Sequence, residues 1–286
     1  MKKNKLYTIL LLVCSVFCLL FCGCNINSYT PPETTTVKQR DPTRENFDHG
    51  SCYDMTDDVC YLVVFLDDEE SQWSADEKEK FLNKKLQPSL NFLSERALEY
   101  DITLNHKYEI YPKVENSSLN FSGVIDPDVV VNGKQENILD EISKSMGYAS
   151  PKQMDRVLRN EFDVRQIAYL IVLNKNGRSY KYSHVISNAE KYEFCVFFDD
   201  AITYSGDTCI STIAHEILHL FGAEDYYDPY GQYPEREKLA QELYPDDIMN
   251  ETFFNINEAQ IGAYTAYSVG WTDEMPEECN VPEWWG

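Results

Sequence analysis

His215-Glu216-Ile217-Leu218-His219-Leu220-Phe221-Gly222-Ala223-Glu224-Asp225 is the stretch on which the reading of this chain turns. On a helix, residues four apart lie on one face about a turn apart, so His215 and His219 can present their imidazoles to one ion. Neutral imidazole is a good zinc ligand, and a catalytic zinc keeps three protein ligands and one position for water. Glu216 sits beside the first histidine, where a carboxylate takes the proton of a metal-activated water. Ile213, Ile217, Leu218, Leu220 and Phe221 supply an apolar helix face, and Ser211 or Thr212 is expected to cap its N-terminus. Gly222 is expected to stop the helix, because Gly tolerates the left-handed conformation of a C-cap. The chain then swings back and brings Asp225 to the metal as third ligand. With 5 His in 286 residues, chance rarely places two at this spacing around a Glu.

The stretch resembles the metzincin clan of zinc metallopeptidases, marked by H-E-x-x-H-x-x-G-x-x-H and a downstream methionine turn. Asp225 in place of the third His is similar to the snapalysin-like members. Asp247-Ile248-Met249-Asn250 resembles the methionine turn. The resemblance implies an α+β fold: a mixed, twisted sheet of about five strands, an active-site helix, and a C-terminal subdomain after the Gly turn. It implies Zn²⁺ held by His215, His219 and Asp225, Glu216 as the catalytic carboxylate, and Met249 as a floor beneath the histidines. Its specific residues are confined to 211–225 and 247–250. Some members place a Tyr two residues after the methionine; Glu251 stands there, so no residue is assigned to stabilise the oxyanion.

The N-terminus reads as a targeting segment. Lys2, Lys3 and Lys5 precede the apolar run Leu6 to Phe21, and Gly23-Cys24 resembles a bacterial lipobox with Cys24 as the lipidated residue. An uncleaved signal anchor is the other reading of this run. Residues 25–50 are polar and Pro-containing, as in a tether. Residues 51–286 form the expected metallopeptidase domain. Its place is the extracellular face of the bacterial cell membrane, lipid-anchored or secreted. A formal net charge of -23 argues against nucleic acid as a partner, since phosphates are repelled. Of nine cysteines, Cys52, Cys60, Cys195, Cys209 and Cys279 follow the proposed lipid site. Such a compartment permits pairs Cys52–Cys60 and Cys195–Cys209. The acidic runs Asp67–Glu70 and Asp225–Asp228 lack EF-hand spacing and read as solvated loops.

Periodicity sets the expected order of elements. Cys60–Leu66 reads as a buried strand, Ser74–Tyr100 as a long helix kinked or split at Pro88, and Ile102–Val114 as a second strand. Residues 115–134 read as loop. Helices follow over Asn137–Met146 and Lys152–Phe162, then a strand over Ile167–Leu173 and a turn at Asn174–Gly177. Ser179–Ile186 alternates weakly, as an edge strand does, and is expected to pair with an extended peptide substrate. Glu193–Phe198 is a further strand, and Asn257–Val269 a closing helix.

The leading reading is a zinc endopeptidase acting on peptide or protein substrates. A gluzincin-type peptidase would instead draw its third ligand from Glu237, Glu242 or Glu251. A non-catalytic surface lipoprotein with a structural zinc has no need of Glu216. Tyr226 and Tyr227, and likewise Tyr264 and Tyr267, read as packing residues more than as cleft lining. His49, His106 and His184 have no ligand spacing.

Overall fold

Every residue of Val59–Leu66 is buried, so both faces of this strand are covered, as in the centre of a parallel sheet. A computed structural model describes residues 52–112, 119–127, 138–187, 190–201, 210–227, 234–251 and 253–281. In it β1 (Asp57–Asp67) lies parallel to β2 (Leu104–Tyr111), to the short β3 (Leu119–Asn120) and to β4 (Ile167–Gly177). β4 is parallel to β6 (Glu190–Ala201), and β5 (Tyr180–Ser187) runs antiparallel along β6. The order is β2-β1-β4-β6-β5, with β3 beside β1, so β5 is an edge strand as its polar alternation predicts. The fold is α+β, with a mixed sheet of six strands.

Helices cover both faces. On one side lie α1 (Ala75–Phe81), a π-helical turn (Leu82–Leu86) and α2 (Gln87–Leu98). Ser74 and Glu77 form a capping box at the start. Pro88 has no amide hydrogen for the Lys84 carbonyl, and the chain accommodates this in a π turn in which Gln87 N–H reaches Leu82 O. On the other side lie α3 (Ile138–Ser145) and α4 (Pro151–Phe162), the latter capped by Ser150. Odd-numbered β1 residues Tyr61, Val63 and Phe65 pack in the cluster containing α2 and the metal-motif helix. Even-numbered Leu62, Val64 and Leu66 pack with α3 and α4. The later helices are α5 (Ile210–His219), α6 (Pro234–Leu243) and α7 (Ala263–Ser268).

Several expectations need correction. No turn interrupts Asn174–Gly177; β4 runs on to Gly177, with its register shifted between Leu173 and Asn176. Gly177 lies on the Phe198 ring, where an added Cβ would come within 2.2 Å of Cδ1. Lys175 of this extension donates to Asp68 Oδ2 and Ile125 O. The run Asp67–Glu70 is thus partly closed by a lysine and not simply solvated. The expected closing helix is split into a 3₁₀ turn (Ile256–Glu258) and α7. The polar 115–134 loop contains β3, and α6 has no counterpart among the expected elements. Cys52 and Cys60 do not pair, because they pack in the clusters on opposite faces of the sheet. Cys195 is a buried thiol 3.0 Å from Glu216 O; Cys209 lies outside the described residues, as do Cys24, the targeting segment and the tether.

Candidate metal centre

α5 is held to the sheet by Ile213, Ala214, Ile217 and Leu218, all fully buried. Its start differs from expectation. The helix begins at Ile210, so Ser211 lies inside it, and its hydroxyl donates to Phe253 O instead of capping. At the other end Gly222 adopts φ +101°. Gly222 N–H donates to His219 O at 3.1 Å and Ala223 N–H to Leu218 O at 3.2 Å. These are the two bonds of a Schellman cap, and they turn the chain back over the helix end.

That reversal gathers three side chains. Among the described residues, His215, His219 and Asp225 form the group whose ligand atoms all lie within 4.8 Å of one another. His215 Nε2 and His219 Nε2 are 3.1 Å apart, and Asp225 Oδ1 is 2.9 Å from the first and 3.3 Å from the second. Glu237 is buried on α6, Glu242 and Glu251 are exposed, and none belongs to this group. Glu224 is outside it too. Burial pushes the Glu224 carboxyl up, with His219 and Lys181 opposing.

The hydrogen bonds behind the rings decide what the group can bind. His215 Nδ1 is 2.8 Å from Ile248 O, and His219 Nδ1 is 2.7 Å from Ala223 O. A carbonyl only accepts, so both Nδ1 atoms carry hydrogen. In the neutral rings both Nε2 atoms then present lone pairs to each other and to Asp225 Oδ1. That oxygen is buried and, with both rings neutral, faces no donor from them. Converging acceptors repel unless a cation lies among them. Protonating one ring is the alternative: burial disfavours a charged His219, but Asp225 and Glu216 outweigh it and raise it to about 9. Asp225 is held well below the usual carboxylate range by the two histidines, against burial. Two imidazole nitrogens and one carboxylate oxygen, with carbonyls fixing the tautomers, fit a three-ligand zinc site.

Glu216 is buried, and burial raises its carboxyl while His219 and His215 pull it down. Tyr227, 48% exposed, lays its ring over His215 at 6.5 Å and 9°. Burial and the Asp225 carboxylate beside its hydroxyl push its ionisation up. It thus faces the site, unlike the packing role read for it. Tyr226 is buried, its hydroxyl bonded to Thr265 Oγ1, and Tyr264 and Tyr267 are buried as well.

Met249 is fully buried in the apolar cluster shared with α5. The turn containing it meets His215 through the Ile248 carbonyl. The residue that shapes this turn stands in the sequence only as the first of the run Asp247–Asn250, with no role given to it: Asp247, fully buried, accepts from Met249 N, Gly262 N and Thr265 Oγ1. Its only signal is its place two residues before Met249. No family model matches the chain, and no curated protein matches it.

Proposed function

We propose that the protein is a zinc-dependent endopeptidase of metzincin type, held at the outer face of a bacterial membrane by a lipid on Cys24. The observation that carries the reading is the convergence of two Nε2 lone pairs and one buried carboxylate oxygen, each ring locked from behind by a carbonyl. Three other features support it: Glu216 buried next to the first ligand, the Gly222 cap, and an α+β sheet with one antiparallel edge strand two elements before the motif helix.

When bound, zinc supplies a Lewis acid that polarises the scissile carbonyl and lowers the pKa of water. Glu216 takes the proton from the attacking water and passes it to the leaving amine. Tyr227 borders the site, with its ring over His215 and its hydroxyl beside the Asp225 carboxylate. β5, paired among the described residues only with β6, offers its outer edge to the extended peptide.

The test combines metal analysis with a peptide-library digest of residues 50–286. About one zinc per chain and cleavage abolished by Glu216→Ala are expected. Zinc content unchanged by His215→Ala/His219→Ala would sink the reading. Peptides N-methylated at alternate positions should be poor substrates; equal cleavage would remove the edge strand from the account.

A further inference from the structure

Asp247 is a buried carboxylate with no cation among its hydrogen-bond partners. Oδ1 accepts from Met249 N at 2.8 Å, and Oδ2 accepts from Gly262 N at 2.6 Å and Thr265 Oγ1 at 2.9 Å. Only a carboxylate has enough lone pairs on two oxygens to receive these donors together. Removing the charged acceptor would strand buried N–H groups, each costing the desolvation of an unmet donor.

The contacts run from this carboxylate toward two of the ligands. The bond to Met249 N closes the turn that presents Ile248 O to His215 Nδ1. Ile248 N is tied to Gln260 O at 3.0 Å, so that peptide is held on its other side too. Along the second route, Thr265 Oγ1 meets both Asp247 and the Tyr226 hydroxyl, while Tyr226 N donates to Met249 O at 3.0 Å. Tyr226 follows Asp225 directly. Gly262 permits the approach, since an added Cβ would lie 2.9 Å from Asp247 Oδ2 and 2.6 Å from Tyr244 Cγ.

We infer that Asp247 is a positioning residue for the metal centre, holding the carbonyl that orients His215 and, through Thr265 and Tyr226, the segment that carries Asp225. This rests on the zinc reading of that centre. Ligand orientation is set from behind: a carbonyl on Nδ1 selects the tautomer that leaves Nε2 free, and loss of such outer partners weakens metal binding ~10–100-fold. An ordinary buried polar residue would stabilise the fold without this effect. Asp155 on the far face of the sheet, buried and bonded to Tyr169 and Arg159, is such a residue and serves as control.

The experiment compares the wild-type full-length protein with Asp247→Asn, Thr265→Val and Asp155→Asn. Zinc affinity is read by competition with a chelator, the His215 tautomer by nitrogen NMR of the metal-free protein, and stability by thermal unfolding. Asp247→Asn should lose ~10–100-fold in zinc affinity and populate the wrong His215 tautomer. Thr265→Val should lose less affinity, and Asp155→Asn should lose stability without changing affinity. If Asp247→Asn does not fold, Thr265→Val decides. Affinities of the folded Asp247 and Thr265 variants within twofold of wild type would overturn the inference. So would losses that merely track the melting temperature in all three variants. A wild-type protein that binds no zinc removes the zinc reading itself, and the inference with it, before any substitution is compared.

Discussion

The two faces of the sheet bury similar apolar layers and handle polar groups in opposite ways. On the face covered by α3 and α4, Asp155 is closed off by Tyr169 and Arg159, a donor and a cation matched to one carboxylate. On the α5 face, His215 Nε2, His219 Nε2 and Asp225 Oδ1 converge on one point, and Asp247 carries a buried charge with only neutral donors about it. A closed polar group stabilises a fold. Converging ring nitrogens and a carboxylate oxygen are unfavourable together until a proton or a cation joins them. Burial alone does not make such a site. At the β2 edge of the α5 face, half-buried His106 sets its Nδ1 3.0 Å from the Tyr61 hydroxyl, and no second ligand atom converges on its ring.

The largest effect should come from Glu216. On the proposed mechanism, replacing it with Ala removes the proton carrier and leaves the three metal ligands intact. Peptidase kcat/KM should fall roughly 10²–10⁴-fold with zinc retained, and a variant within a few-fold of wild type would contradict the role. Next comes the ligand set. Asp225→Ala should weaken zinc by more than the ~10–100-fold expected of an outer-shell loss, and more than Glu224→Ala does. Chelator competition ranks the two, and the reverse order would move the third ligand.

The opposite face should respond in stability only. Asp155→Ala leaves the Tyr169 hydroxyl without its acceptor and Arg159 with the Arg165 carbonyl in place of a carboxylate, and should cost about 2 kcal/mol in denaturant unfolding. Unchanged stability, or lost zinc affinity, would erase the contrast between the faces. The smallest effect concerns pH. Burial lowers His106 from 6.5 to about 4, partly opposed by the Leu90 carbonyl. A histidine that stays neutral in the fold and charges when unfolded contributes stability above its unfolded pKa. That contribution is lost as pH falls from 6.5 toward about 4. It should amount to on the order of 2 kcal/mol, and His106→Gln should flatten the slope over this window. An unchanged slope would place the titration elsewhere.

Much of the architecture was legible along the chain. The unbroken apolar run Cys60–Leu66 announced a strand covered on both sides, and the weak alternation of Ser179–Ile186 announced an edge. Pro88 announced a defect in the long helix, though not that it would be a π turn. β3 has two residues and no periodicity to read, and α6 is mostly polar, so neither could be seen. Asn174–Gly177 has the composition of a turn. Pairing with β6 and the anchoring of Lys175 at Asp68 and Ile125 keep it extended.

At the centre itself the division follows sequence distance. Spacing alone determined that His215 and His219 share a helix face, because a helix repeats every 3.6 residues. It also determined that Gly222 is where the chain can turn back, because an L side chain resists that backbone angle. What holds the rings, and what closes the turn beneath them, was decided only in three dimensions. His215 leans on a carbonyl 33 residues away, and Asp247 gathers a hydroxyl 18 residues away. Backbone carbonyls and amides are the same at every residue and leave no mark in the sequence. Which of them meets a given ring depends on how α5, the turn at Met249 and α7 pack together.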